Sequence, residues 1–422
     1  MSTLFAPATH HPTGLATRGM AGVFALSLWG FLLSCVFDPA DKLFGLKVWF
    51  FLLCWLAGAA RLMARRKPLQ VPTGLLIYTF TFIFIPFASI AQYYIRGGVE
   101  PFDGLQMLKG YILITFALLL AMTRTDLFDR MATTLTLLAI SIIATAIAIG
   151  VAPELETVVY VFGAATGIVS IDAGRDYGSD VVLSQVYFVT SPMLAMAIAH
   201  YYDRARSATA RAVRTRYAIL VAVNVVAMVL AGTRNNILVA IVLPLSLWFI
   251  HSRRKAPASV IAAALALLAA YAFNTELAAF FDPQEHSNSA KLNLINDYLE
   301  IFSSVPVLLF GQGLGAFHPW SAPKATASIA ELTYFEMIRN FGLFGAIVMF
   351  GLLVQPIVRA FGRGGTARDA TLAVGYAYYM LMCMTNPNMF SSMGILILSV
   401  MLATSYSARV TPLKPPPLRP PT

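Results

Sequence analysis

Between Met20 and Tyr406 the chain is largely a succession of apolar runs, each near the ~20 residues that a helix needs to cross a bilayer. That feature leaves few folds open. In lipid every backbone N–H and C=O must find a partner inside the protein, so only helices or closed barrels span, and runs this long favour helices. Composition agrees: 58% of residues are hydrophobic, 12% are charged, and the mean hydropathy is +0.71. The expected fold class is an all-α polytopic integral membrane protein with roughly twelve transmembrane helices.

The expected spans are Met20–Phe37, Leu43–Met63, Thr73–Ile95, Leu105–Met122, Met131–Val151, Val181–Tyr202, Tyr217–Ala231, Ile237–Ile250 and Ala256–Asn274. Three more follow: a helix opened by Glu331 and running over Leu332–Gln355, then Thr371–Thr385 and Met389–Tyr406. The chain thus divides into an N-terminal tail (1–19), nine spans (20–274), a long loop (275–330), three spans (331–408) and a proline-rich tail (409–422) expected to be disordered. Inside the long loop, Leu292, Ile295, Tyr298, Leu299 and Phe302 recur at helical spacing, which predicts an amphipathic helix on the membrane surface. The polar first seventeen residues do not read as a cleavable signal. Cys35, Cys54 and Cys383 all fall in apolar runs and suggest neither a disulfide framework nor a metal site.

Charge orients the expected spans. The basic loops carry Arg61–Lys67, Arg124–Arg130, Arg204–Arg216, Arg253–Lys255 and Arg359–Arg368, and they alternate with mixed or acidic loops. The net charge of +10 is therefore a topology signal and not a mark of nucleic-acid binding. By the positive-inside rule both termini are expected in the cytoplasm, and the loops holding Arg175, Arg234, Glu331 and Asn386 on the other face, the periplasm of a Gram-negative cell.

Candidate chemistry collects on that second face. Arg175 sits in GRDYGSD and Arg234 in the turn AGTRNN. A guanidinium is planar and always charged, so two of them beside a membrane suit a lipid-linked pyrophosphate. The structural alternative is a snorkelling arginine, or a partner for Asp176 or Asp180. Gly311, Gly313 and Gly315 alternate in GQGLGAF, so the backbone there can turn tightly and allow something bulky to approach. Glu331 reads either as a general base for a sugar hydroxyl or as a carboxylate favoured by the helix dipole. His318 is a second candidate base or an exposed loop residue, and Tyr177, Tyr334 and Trp320 read as sugar-stacking or interfacial aromatics. Arg339 lies one turn from Glu336, deep in the same helix, as a substrate contact or an internal ion pair. No nucleotide-binding loop, zinc site or nucleophile elbow is present in the sequence.

Taken in order, Arg175 with Gly178, Thr233-Arg234, Gly311 to Phe317, and Glu331 to Gly345 resemble the motifs of the O-antigen ligase and O-antigen polymerase family of bacterial envelope glycosyltransferases. The resemblance covers about residues 174–345, the N-terminal half matching only in hydropathy. It implies a GT-C-like fold and a multi-pass inner-membrane enzyme of lipopolysaccharide or exopolysaccharide synthesis. It also implies metal-independent transfer from a glycan on undecaprenyl pyrophosphate, without a cofactor and with inversion at the sugar. Substrate contacts would come from Arg175, Arg234, Tyr177, Gly313, Gly315, His318, Tyr334 and Arg339, with Glu331 catalytic. A chain-length regulator is the protein partner that such a polymerase would have. Where ligases open this helix with a histidine-asparagine pair, Glu331-Leu332 stand here, which leans toward polymerisation. The rival readings are a ligase delivering glycan to lipid A-core and, from another class, a flippase or transporter. Transporters place charges at the bilayer midplane, often in repeated halves, and no internal repeat is evident.

Overall fold

The computed structural model describes residues 15–43, 45–64, 71–98, 101–172, 185–252, 286–316, 332–362, 365–386 and 388–407. The expected ninth span, Ala256–Asn274, and the candidates Arg175, Tyr177, His318, Trp320 and Glu331 lie outside the described residues.

Eight stretches among the described residues are helical, long and apolar enough to cross a membrane. They comprise α1 (Leu15–Phe37), α2 (Lys47–Ala64), α3 (Thr73–Ile95), the pair α4 (Pro101–Ile112) and α5 (Thr115–Thr123), and α6 (Phe128–Val151). The other three are α9 (Arg211–Leu230), α10 (Arg234–His251) and α13 (Thr333–Phe361). α14 (Ala367–Met382) and α15 (Ser392–Ser407) are shorter. This is a helical polytopic membrane protein. Some hydroxyls inside the spans are absorbed by their own helices: Thr79 donates to the carbonyl of Leu75 and Thr136 to that of Ala132.

Two stretches depart from the sequence reading. The expected span Val181–Tyr202 is not one helix. Its described part is strand β2 (Gln185–Phe188), a 3₁₀ turn at Ser191–Met193, and α8 (Leu194–Ser207). β2 pairs antiparallel with β1 (Val169–Asp172), Asp172 opposite Gln185. α8 is only 14 residues long, and Leu194–Ala199 are fully buried among α6, α9, α10 and α14. Its apolarity serves protein packing and not lipid, a difference that hydropathy cannot register. The stretch expected to be loop between Val151 and Val181 contains an apolar helix, α7 (Leu155–Thr166), too short at about 18 Å to cross the hydrocarbon core.

α3 and α13 run antiparallel, joined by hydrogen bonds from Tyr78 Oη to the Leu352 carbonyl (2.8 Å) and from Ser89 Oγ to the Asn340 carbonyl (2.6 Å). The bundle has two unlike ends. At one, Asp129 on α6 accepts from both Arg204 (2.8 Å) and His200 (2.9 Å), Arg368 pairs with Asp126 (2.6 Å), and Arg359 lies 3.6 Å over the Tyr406 ring. Three of the basic segments, Arg124–Arg130, Arg204–Arg216 and Arg359–Arg368, meet there. The opposite end holds the start of α10, the C-terminus of α3, the start of α13 and the C-terminus of α14.

Candidate functional site

The turn between α9 and α10 organises this second end. Gly232 has φ +70°, and a Cβ there would lie 2.3 Å from Cγ of Gln185, so glycine is what lets β2 seat against the turn. Gln185 then donates from Nε2 to the Ala231 carbonyl (3.2 Å). Thr233 caps α10, its Oγ1 accepting from the Asn236 N–H (3.2 Å). Asn236 donates to Ser191 Oγ (2.9 Å), and Asn235 donates to Thr385 Oγ1 at the end of α14. One residue on, the Asn386 carbonyl accepts from Thr333 Oγ1 (2.7 Å), the first residue of α13. Two consequences follow for the candidate residues. The segment 173–184, which carries Arg175 and Tyr177, leaves and returns through the β1–β2 ribbon rooted on this turn. The start of α13, immediately after Glu331 and Leu332, is tied to the same turn through Thr385 and Asn386.

Arg234 is the first residue of α10 and is half-buried. The helix dipole disfavours a cation at that position, so helix stability does not explain the residue. With the N–H groups of the first turn it makes an end of positive potential suited to an anion. Its Nη1 contacts Oδ1 of Asn288 at 3.4 Å, on the first turn of α11 (His286–Phe302). α11 is the expected amphipathic helix, but its buried stripe is Leu294, Tyr298 and Ile301, while Leu292 and Leu299 face outward. The stripe is rotated because α11 packs on α13 and on the buried side chain of Leu332.

The glycine run continues from α12 (Val305–Phe310). Gly311, Gly313 and Gly315 all have positive φ, at +80°, +103° and +94°. What comes close is the protein's own backbone. α13 is broken at Gly342 (φ +66°, ψ 174°), and a Cβ on Gly311 would lie 2.6 Å from the Gly342 nitrogen. A Cβ on Gly313 would lie 2.5 Å from Tyr93 Cβ on α3. At the break, the carbonyl of Arg339 accepts from the Gln312 N–H (2.6 Å) and that of Asn340 from Ser89. Ser89 in turn accepts from the Leu314 N–H (2.8 Å), while Gln92 (3.1 Å) and Arg96 (2.7 Å) hold the Gly311 carbonyl. Gly313 and Gly315 are buried in this seam, shaping the site from behind.

Arg339 is wholly buried. Its Nε donates to Glu336 Oε2 (2.8 Å), Nη2 pairs with Oε1, and Nη1 reaches Gln312 Oε1 (3.2 Å) and the Ala316 carbonyl (2.8 Å). Glu336 also accepts from Tyr298 Oη (2.9 Å) and Asn340 Nδ2 (3.0 Å). Burial and the neighbouring Glu336 carboxylate push the Tyr298 phenol well above its ordinary pKa, so it stays a donor. The geometry is that of the internal ion pair, with no part of the Arg339 side chain exposed. Tyr334 likewise spends its hydroxyl on the Met380 carbonyl (3.1 Å). Along α11, Asn288 beside Arg234 and Tyr298 beside Glu336 are ten residues apart, about 15 Å.

The sequence singles out Arg234 and Asn386 and sets Tyr298 on an amphipathic helix, but it marks neither Tyr298 as the partner of Glu336 nor Gln185, Asn235, Thr385 and Asn288 as residues that tie these segments together. Nothing in local spacing marks these ties; Tyr298 and Glu336 are 38 positions apart in the chain. The chain matches no protein-family model and no curated protein.

Proposed function

We propose that this protein is an inner-membrane glycosyltransferase that polymerises oligosaccharide repeats carried on undecaprenyl pyrophosphate, working at the periplasmic face. Arg234, with Arg175, binds the pyrophosphate and stabilises its charge as it departs. Glu331 takes the proton of an acceptor hydroxyl on the next repeat. The acceptor oxygen bonds to the anomeric carbon as the bond from that carbon to the pyrophosphate oxygen breaks, and entry opposite the leaving group inverts the centre. Segment 275–330 keeps water, a competing acceptor, from the donor.

The observation that carries this reading is the hydrogen-bonded cluster around the α9–α10 turn. It joins Arg234, the roots of the segment bearing Arg175, and the helix start that follows Glu331, from three distant parts of the sequence. Glu331-Leu332, where ligases of the resembling family carry histidine-asparagine, favours polymerisation over ligation. Replacing Arg234 by Ala or Glu331 by Gln in the producing strain is expected to abolish long chains on polysaccharide gels, with the protein still in the membrane. Normal chain lengths from either variant remove that residue from the mechanism.

A further inference from the structure

The Glu336–Arg339 pair has no place in that chemistry, yet it is the most heavily bonded ionic group described in the molecule. A charge pair inside a membrane helix is costly to bury, and removing one partner is more so, which points to a use beyond helix stability. Its contacts reach two separate extramembrane elements. Through Tyr298 the Glu336 carboxylate holds α11. Through Nη1 the Arg339 guanidinium holds Gln312 and the Ala316 carbonyl, the last described residue before segment 317–331. That segment returns at Leu332, a residue at φ +70° whose buried side chain packs in the cluster of Leu294, Tyr298 and Ile301. A leucine in the left-handed region is strained and persists only where its surroundings impose it.

We infer that Tyr298, Glu336 and Arg339 are positioning residues: a buried ionic latch that fixes both roots of segment 317–331, Ala316 through Arg339 and Leu332 through Tyr298. The latch has two arms, one per element, and they release independently. The Tyr298 arm also meets Arg234, since Asn288 in the first turn of α11 lies beside it. The inference deepens the proposed function, because Glu331 borders Leu332, but its geometry stands whether or not that reading holds.

The experiment is hydrogen–deuterium exchange with mass spectrometry on the full-length protein in nanodiscs. Tyr298→Phe keeps the ring and removes one hydrogen bond, and is expected to raise exchange about 3- to 10-fold across 286–302 while leaving 311–316 as in wild type. Arg339→Lys keeps the charge and loses the fork, and is expected to raise exchange across 311–316 with the smaller change in 286–302. Both variants are expected to lower kcat for extension of lipid-linked repeats extracted from the producing membranes, with KM unchanged. Separate footprints of this kind support the latch. Unchanged exchange in both variants, or a rise spread evenly over the spanning helices, overturns it, as does an unchanged kcat alongside the separate footprints. Should Arg339→Lys fail to accumulate, Tyr298→Phe alone decides on the same criteria. Failure of the functional reading shows elsewhere, as Arg234→Ala and Glu331→Gln retaining long chains, and leaves the exchange result standing.

Discussion

Gly342 gives the sharpest test of how the site end is built. It sits at φ +66° and ψ 174°, a region essentially restricted to glycine. A side chain there costs about 1–3 kcal/mol in backbone strain alone. The added Cβ of Gly342→Ala would also stand 2.3 Å from the Leu309 oxygen and 2.4 Å from Phe310 Cα. Those are backbone atoms of α12, so the whole short helix has to move, at about 1–3 kcal/mol for overpacking. Together the loss is ~2–6 kcal/mol of unfolding free energy. Gly351 is the control on the same helix: nothing lies within 4 Å of its Cβ position, and its φ is not positive. Gly351→Ala should gain about 0.5–1 kcal/mol from lost freedom of the unfolded chain. Steric trapping in bicelles measures both. Gly342→Ala within about 0.5 kcal/mol of wild type, or no worse than Gly351→Ala, would refute the seam as described.

Ser89→Ala takes away a hydroxyl that donates to the Asn340 carbonyl and accepts from the Leu314 N–H, leaving two buried groups unpaired. A loss of about 2–4 kcal/mol is expected in the same assay, and a neutral result would contradict that pairing. Cys35, Cys54 and Cys383 are buried, so a maleimide should modify them only after unfolding; rapid labelling of the native protein would contradict the packing of α1, α2 and α14.

Most of the helical frame is legible in the sequence, because lipid solvation imposes long apolar runs. α3 keeps its expected limits, α2, α6 and α10 shift by at most four residues, and α1 and α9 start five and six residues early. Legibility ends where apolar residues face protein. The run from Val186 to Ala199 reads as lipid-facing but forms a strand, a turn and a buried helix around Ser191 and Pro192. The alternating glycines do announce a tight, crowded backbone. What crowds them is the Gly342 break, far along the chain and invisible to spacing. Charge alternation put Arg234 and Asn386 on one face, and the hydrogen bonds of their neighbours Asn235 and Thr385 join the two turns. The internal reading of Glu336 with Arg339 follows from their one-turn separation; the third partner, Tyr298, shows in the sequence only as part of an amphipathic stripe, and its bond to Glu336 spans 38 positions.

The most direct measurement of the central claim uses purified protein in nanodiscs, supplied only with undecaprenyl-pyrophosphate-linked repeat units. Glycan chains longer than one repeat are expected, together with released undecaprenyl pyrophosphate, and neither product from the Arg234→Ala protein. Products that form only when lipid A-core is added, or lipid-linked repeats that cross the bilayer without any new glycosidic bond, would contradict it.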